Sequence, residues 1–324
     1  MHSIQLTMGS ANLEVFSGTL MDLAERNPDI LVVTSDSRGS GKLTPFGLKY
    51  PEQIVEIGIA EQNLVGISAG LAAGGKKVFA VSPACFLTAR ALEQIKNDVA
   101  YSDQPVKIIG ISAGVSYGSL GTTHHSLHDF ATLQAINNID ILAPADNFET
   151  REAIRAAVNH PRPIYIRFGK KPLPHLHKAG TRFEIGKGIF LTEKKPSYDV
   201  AFIATGEMVA QAYLASIELQ EKGITSCVLS MHSVRPFDHE AVAYAVSHAK
   251  AAITVEEHSI HGGIGCRIAA FMMEEGIFRP LKVAGIPDEH IITGSQDEIF
   301  LHYGLTSEGL AKRAVDLLEK ELVE

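Results

Sequence analysis

The 324-residue chain reads as an α/β protein of two domains, the first a doubly wound parallel sheet and the second smaller. Three observations predict this. Short apolar runs alternate with segments of helical apolar spacing along most of the chain. The run 106–111, apolar but for Lys107, has the composition of a strand inside a parallel sheet. The alternation lapses over 170–197, where Pro172, Pro174 and Pro196 stand among charges, and then resumes. Domains are accordingly expected at 1–178 and 198–324, joined by a linker at 179–197.

Leu13, Phe16, Leu20, Leu23 and Ala24 predict a helix over 13–26, capped by Ser10 or Asn12 and ended by Pro28-Asp29. A strand at 30–34 leads into the polar glycine loop 35–41. A helix entered from a glycine loop follows, with Glu61 near its first turn, and Gly66, Ser68, Ala69, Gly70, Ala72 and Ala73 along it are small enough for another backbone to come close. Strand 78–81, Phe86 and a helix over 91–100 precede strand 106–111 and a loop over 112–129 rich in Gly, Ser and His. Strand 139–143, a helix over 148–159 capped by Asp146, and strand 163–167 complete this domain. One strand is expected in the linker, at 188–192. The second domain continues as strand 199–205, helix 208–221 closed by Gly223, strand 225–230, helix 238–248 and strand 251–256. Helix 264–275 closed by Gly276, strand 281–285 and a helix over 307–322 end the chain.

A net charge of -8 without a Lys/Arg block argues against a nucleic-acid binder that neutralises phosphates. No apolar span is long enough for a membrane helix, and residues 1–8 lack the features of a signal peptide. Cys85, Cys227 and Cys266 are odd in number, scattered and in apolar contexts. They are expected to be small core residues in a reducing cytoplasm, not a disulfide framework or metal cluster.

Ligands of open parallel sheets bind outside the carboxyl ends of strands, which singles out the loops after Thr34, Ile111 and Arg167. Glu61 either sits favourably at a helix N-terminus or is a buried acid that needs a partner or a proton. His124, His125 and His128 suggest a polar substrate loop rather than a metal site, since no Cys or Glu stands at a familiar interval. The loop 35–41 lacks the ending of a P-loop, and there is no nucleophile elbow and no clear dinucleotide fingerprint. His261-Gly262-Gly263-Ile264-Gly265 is read as a tight turn opening a helix.

Several motifs occur in order: residues 56–75, Phe86-Leu-Thr-Ala-Arg-Ala-Leu-Glu-Gln-Ile-Lys-Asn, Gly121-Thr-Thr-His124, Ile141-Leu-Ala-Pro-Ala-Asp146, Ile203-Ala-Thr-Gly206 and 255–265. Together they resemble the C-terminal half of transketolases and of 1-deoxyxylulose-5-phosphate synthases, over essentially the whole chain. The resemblance implies a pyrimidine-binding thiamine diphosphate domain, a transketolase C-terminal domain, and transfer of a two-carbon ketol unit from a ketose to an aldehyde. Glu61 falls on the glutamate that hydrogen-bonds the pyrimidine N1′ and favours the imino tautomer. Phe86 falls on the aromatic that stacks on that ring, and His124 on a histidine near the cofactor amino group and the substrate carbonyl. Arg167 and Ser40 fall on residues that hold a sugar phosphate, and Asp36 on an acid near the cofactor at a subunit interface.

Three positions depart from the family. Ser112 stands where a substrate histidine is usual, Leu120 where an aspartate is, and Glu14 where a second phosphate-binding arginine is. The usual pentose phosphates are therefore in doubt, and a ketose with a different anionic or an unphosphorylated end would suit. The family's Gly-Asp-Gly is absent, which places Mg²⁺ and the diphosphate on a partner subunit, in an α2β2 assembly. The β subunit of a 2-oxo acid dehydrogenase E1 component shares this plan, but the Gly-Thr-Thr-His124 loop and Arg167 favour the transketolase side. Against a non-catalytic regulatory subunit stands the retained Glu61.

Overall fold

A computed structural model describes residues 6–321 of the chain. Its strands are β1 (Met8–Ala11), β2 (Ile30–Thr34), β3 (Ile54–Glu56), β4 (Lys77–Pro83), β5 (Lys107–Ile111), β6 (Asp140–Leu142) and β7 (Ile164–Arg167). They continue as β8 (Pro172–Pro174), β9 (Ile189–Phe190), β10 (Tyr198–Ala204), β11 (Ser226–Ser230), β12 (Ser233–Arg235), β13 (Ala249–Ser259) and β14 (Leu281–Ile286). Two large sheets result. The first has the order β12-β6-β7-β5-β4-β2-β3 and is parallel except for its edge strand β12. The second has the order β14-β13-β10-β11-β9, with only β9 antiparallel. This is the predicted α/β architecture.

Strand composition explains the sheets. Every residue of β5 is buried, Lys107 included. The Lys107 ammonium donates to the Pro105 carbonyl at 2.6 Å, and burial pulls its pKa down to about 8. Phe16, Phe46, Phe79 and Phe168 fill one face of the first sheet. On the other face Leu64, Val65, Leu87 and Phe130 join a cluster that runs on through Val234, Phe237, Val242 and Ile264. The apolar core is thus continuous from one sheet to the other.

Several expectations need correction. Ala11, not Ser10 or Asn12, occupies the cap position of the first helix, Asn12–Ala24. Asn12 lies inside it, bonded instead to Asn147. The helix expected at 91–100 is one short turn, Leu92–Gln94, followed by wide π-helical turns over Ile95–Tyr101. Region 170–197 holds the strand expected at 188–192, as β9 of the second sheet, and in addition β8, which pairs with β1. Cys85 and Cys227 are buried but Cys266 is exposed, where its thiol reaches the Ile260 carbonyl at 3.1 Å. The last helix is described over Ser307–Glu321, and its expected end at Leu322 lies outside the described residues. Among the described residues no helix is long and apolar enough to cross a membrane.

Candidate active site

The carboxyl ends of the four neighbouring strands β7, β5, β4 and β2 bring separate loops to one edge of the first sheet. Glu61 enters from the flank, as the first residue of the helix Glu61–Ala73 that follows β3. Its side chain is only 2% exposed, and its carboxylate takes a 2.8 Å bond from the Arg90 guanidinium. The buried acid therefore has a partner, which is what its burial requires. Arg90 ends the helix Ala84–Arg90 after β4, and its guanidinium carbon lies 4.9 Å from the centre of the Phe86 ring on the same helix. Phe86 meets His124 edge-on at 5.2 Å, His124 meets Tyr117 at 5.3 Å, and the Lys170 ammonium stands 4.7 Å over the Tyr117 ring. Glu61, Arg90, Phe86, His124, Tyr117 and Lys170 so form one line of contacts drawn from four loops.

A cleft of about 720 Å³ opens beside Phe86 and Arg90 of this line. Phe86, Arg90, Thr123 and His128 line it from the first domain, and Ile291 from the second. Glu61 lies one hydrogen bond behind its wall, through Arg90. His125 also lines the cleft, its Nε2 3.0 Å from the Gly118 carbonyl, and burial lowers its pKa. The His128 ring lies 3.2 Å from the Thr88 hydroxyl.

The loop after β2 is held by Glu56. Its carboxylate accepts from the Thr34 hydroxyl at 2.8 Å, the Asp36 N–H at 2.7 Å and the Gly58 N–H at 3.0 Å, with Arg38 at 3.4 Å. Burial alone would raise the Glu56 pKa, but these donors outweigh it and hold the carboxyl below its usual range. Asp36 is exposed, with a positive φ of 52°, and is tied through Glu56 to the segment that leads to Glu61. Ser40 is exposed further along the same loop.

Arg167, expected to hold a sugar phosphate, ends β7 and is almost buried. Its side chain is 8% exposed, and like His124 and Lys170 it is not among the residues lining the cleft. One terminal nitrogen bonds Asp129 at 3.0 Å and the other the Glu257 carbonyl at 2.9 Å, while the Phe130 ring lies 4.5 Å away. These contacts tie the first domain to the second, and they answer why an Arg ends an apolar strand. Of the departures, Ser112 is buried with φ 53°, Leu120 is 54% exposed, and Glu14 lies 3.7 Å from the Lys42 ammonium.

Sequence reasoning missed Arg90, Tyr117, Lys170, Glu56 and Ile291. Arg90 stood inside a motif already singled out, and an Arg four residues after a candidate stacking Phe on a helix was a usable signal. Ile291 gave none, since it comes from a loop of the other domain.

Residues 10–175 match the transketolase pyrimidine-binding domain, and residues 191–310 the transketolase C-terminal domain. The chain is 46% identical over 306 residues to a subunit of the apulose-4-phosphate transketolase of Phocaeicola vulgatus, covering 94% of this chain and 96% of that one. It is 32% identical to the 6-deoxy-6-sulfo-D-fructose transketolase subunit SqwH of Clostridium sp., covering 95% and 94%. Among solved structures it is similar to a split gene transketolase described as an inactive beta4 tetramer. The identity is 33% and the TM-score 0.87, over 96% of this chain and 99% of that one. The chain belongs to the transketolase family, as a split transketolase subunit made of the pyrimidine-binding and C-terminal domains.

Proposed function

We propose that this subunit supplies the pyrimidine half of a thiamine diphosphate site, and that the diphosphate and Mg²⁺ are held by a partner subunit, in an α2β2 assembly. The reaction is transfer of a two-carbon ketol unit from a ketose with an anionic end to an aldehyde. The observation that carries this reading is the buried Glu61 carboxylate behind a cleft walled by Phe86 and flanked by His124. These residues fit the pyrimidine half of the cofactor: an aromatic ring to stack on it, and an acid to bond a ring nitrogen. When bound, the cofactor supplies the electron sink for the two-carbon carbanion. Glu61 would hold the ring-nitrogen hydrogen bond, Phe86 would pack against the ring face, and His124 would present its imidazole to the substrate oxygen. Asp36, exposed on the loop fixed by Glu56, would approach the cofactor, and the exposed Ser40 would assist with the substrate anion. The units of this design are residues 1–178, the linker 179–197 and residues 198–324. We place the reaction in the cytoplasm, where the three free cysteines stay reduced.

The anionic end of the ketose falls to Lys170. Arg167 has both terminal nitrogens engaged inside the protein, whereas Lys170 is exposed one ring away from His124. Two of the similar proteins are named for a sugar phosphate and a sulfo-sugar, and both donors carry an oxyanion group that an ammonium can pair.

The test is reconstitution with the partner subunit and a panel of phosphorylated, sulfonated and neutral ketoses, with 2-oxo acids as the rival donor class. Ketol transfer from an anionic ketose is expected, and Lys170→Met should raise its KM roughly tenfold while leaving a neutral ketose unaffected. Decarboxylation of a 2-oxo acid instead would overturn the assignment.

A further inference from the structure

The loops that carry the site are seated on the second domain. Glu257, at the end of β13, accepts from the Val115 N–H at 2.8 Å and from the Gln296 side-chain amide at 2.9 Å. The same Gln296 nitrogen donates to Glu207 at 3.2 Å. Glu257 presses on Gly114, where φ is 63° and a Cβ would collide with the carboxyl group. Glu207 presses in the same way on Gly169. Two glycines of the first domain thus make room for two acids of the second. Nearby, a Cβ on Gly118 would stand 2.9 Å from the Gly294 carbonyl, and Lys171 pairs with Asp297 at 2.6 Å. The segments gripped in this way are those that carry Tyr117 and His124, and Lys170.

We propose that Glu207, Glu257 and Gln296 are positioning residues for ketol transfer: they fix the His124 loop and the Lys170 segment, so the second domain governs the site without touching substrate. The inference rests on reading the cleft as the ketol-transfer site. Its physical basis is charge balance. The acids Glu207, Glu257 and Asp129 share one buried guanidinium, Arg167, with Lys171 on the segment beyond it and the neutral Gln296 between the two glutamates. Burial, then repulsion from Glu257, pushes the Glu207 pKa up to about 8. The pair Glu207 and Glu257 therefore holds a proton above the usual carboxylate range, and losing it at higher pH adds a negative charge that Arg167, Lys171 and one amide must offset.

The experiment compares the wild-type complex, reconstituted with its partner subunit, with Glu207→Gln and Glu207→Ala. Donor KM and kcat are measured from pH 7 to 9.5, with hydrogen exchange of peptides spanning 112–128 measured on the same samples. Glu207→Gln is isosteric and uncharged, so it should keep kcat within about threefold at pH 7 and flatten the alkaline fall in activity. Glu207→Ala should speed exchange in 112–128 and raise the donor KM or lower kcat by roughly ten- to hundredfold, while still folding. Wild-type kinetics and wild-type exchange in Glu207→Ala, or an alkaline limb retained by Glu207→Gln, would overturn the proposal. Loosened exchange in a complex with no ketol transfer would sink the functional reading and leave the positioning role standing.

Discussion

At the residue scale the site depends on a carboxylate kept out of water beside a cation. Glu61 is nearly inaccessible and Arg90 is half exposed, so the pair joins a dry wall to an open cleft. Replacing Glu61 by Gln preserves shape and removes the acid. In the reconstituted complex Glu61→Gln should reduce kcat by ~10²–10⁴-fold, the usual size of a proton-transfer contribution. Circular dichroism should show an unchanged fold, and activity within twofold of wild type would show that Glu61 is not the proton-handling group. The resemblance gives Arg167 an anion to hold, and its surroundings add internal partners that the resemblance does not mention. The engagement of Arg167 with Asp129 and Glu257 arises from contacts across 38 and 90 residues, which spacing cannot reveal.

At the element scale most of the long alternating segments were legible. The strands from β2 to β7 and β10 to β14 that were expected follow from continuous apolar runs, and the helix Met208–Glu221 from its apolar spacing and the glycine after it. The elements missed were short. β3, β8 and β12 have three residues each, and Thr44–Lys49 and Gln296–His302 have six and seven, too few for periodicity to register. Another missed feature is the anchor of the linker. His177 lies 2.9 Å from Asp146 and 3.1 Å from Glu149, all three buried, with Asp146 also capping the helix Asn147–Val158. Burial alone would lower the His177 pKa, but the two acids outweigh it and raise it to about 9. The folded value is raised, so the stabilisation is fully present below the unfolded pKa near ~6.5 and is lost as pH rises through about 9. Urea unfolding should therefore show wild type losing roughly 2–4 kcal/mol relative to His177→Gln between pH 6.5 and 9.5. Parallel pH dependences of the two proteins would rule out a charged His177.

At the scale of the whole molecule the two sheets are interlocked rather than strung on a tether. β12 leaves the second domain to pair with β6 as the edge of the first sheet. Arg235 on that strand donates to the Ile136 and Ile139 carbonyls, and Arg267 to the Val234 carbonyl. The buried cluster that begins with Leu64 and Phe130 continues through Val234, Phe237 and Ile264 without a break. Ser230 of the second sheet bonds Glu149 at 2.7 Å, and Arg167 bonds the Glu257 backbone. Inter-domain surfaces within one chain are ordinarily small and polar, and domains then move and melt separately. Here the shared core and the exchanged edge strand couple the two, so unfolding either sheet exposes apolar surface on the other. Calorimetry of the full chain should give one transition with equal calorimetric and van't Hoff enthalpies. A fragment of residues 1–178 should behave differently: without β12 it presents the open edge of β6 and uncovers Phe130, Leu133 and Ile141, and it should associate or stay unfolded. Two resolved transitions in the full chain, or a soluble monomeric fragment with a melt of its own, would mean that the domains are independent. A coupled unit also accounts for a cleft that takes Ile291 from the second domain while its principal residues come from the first.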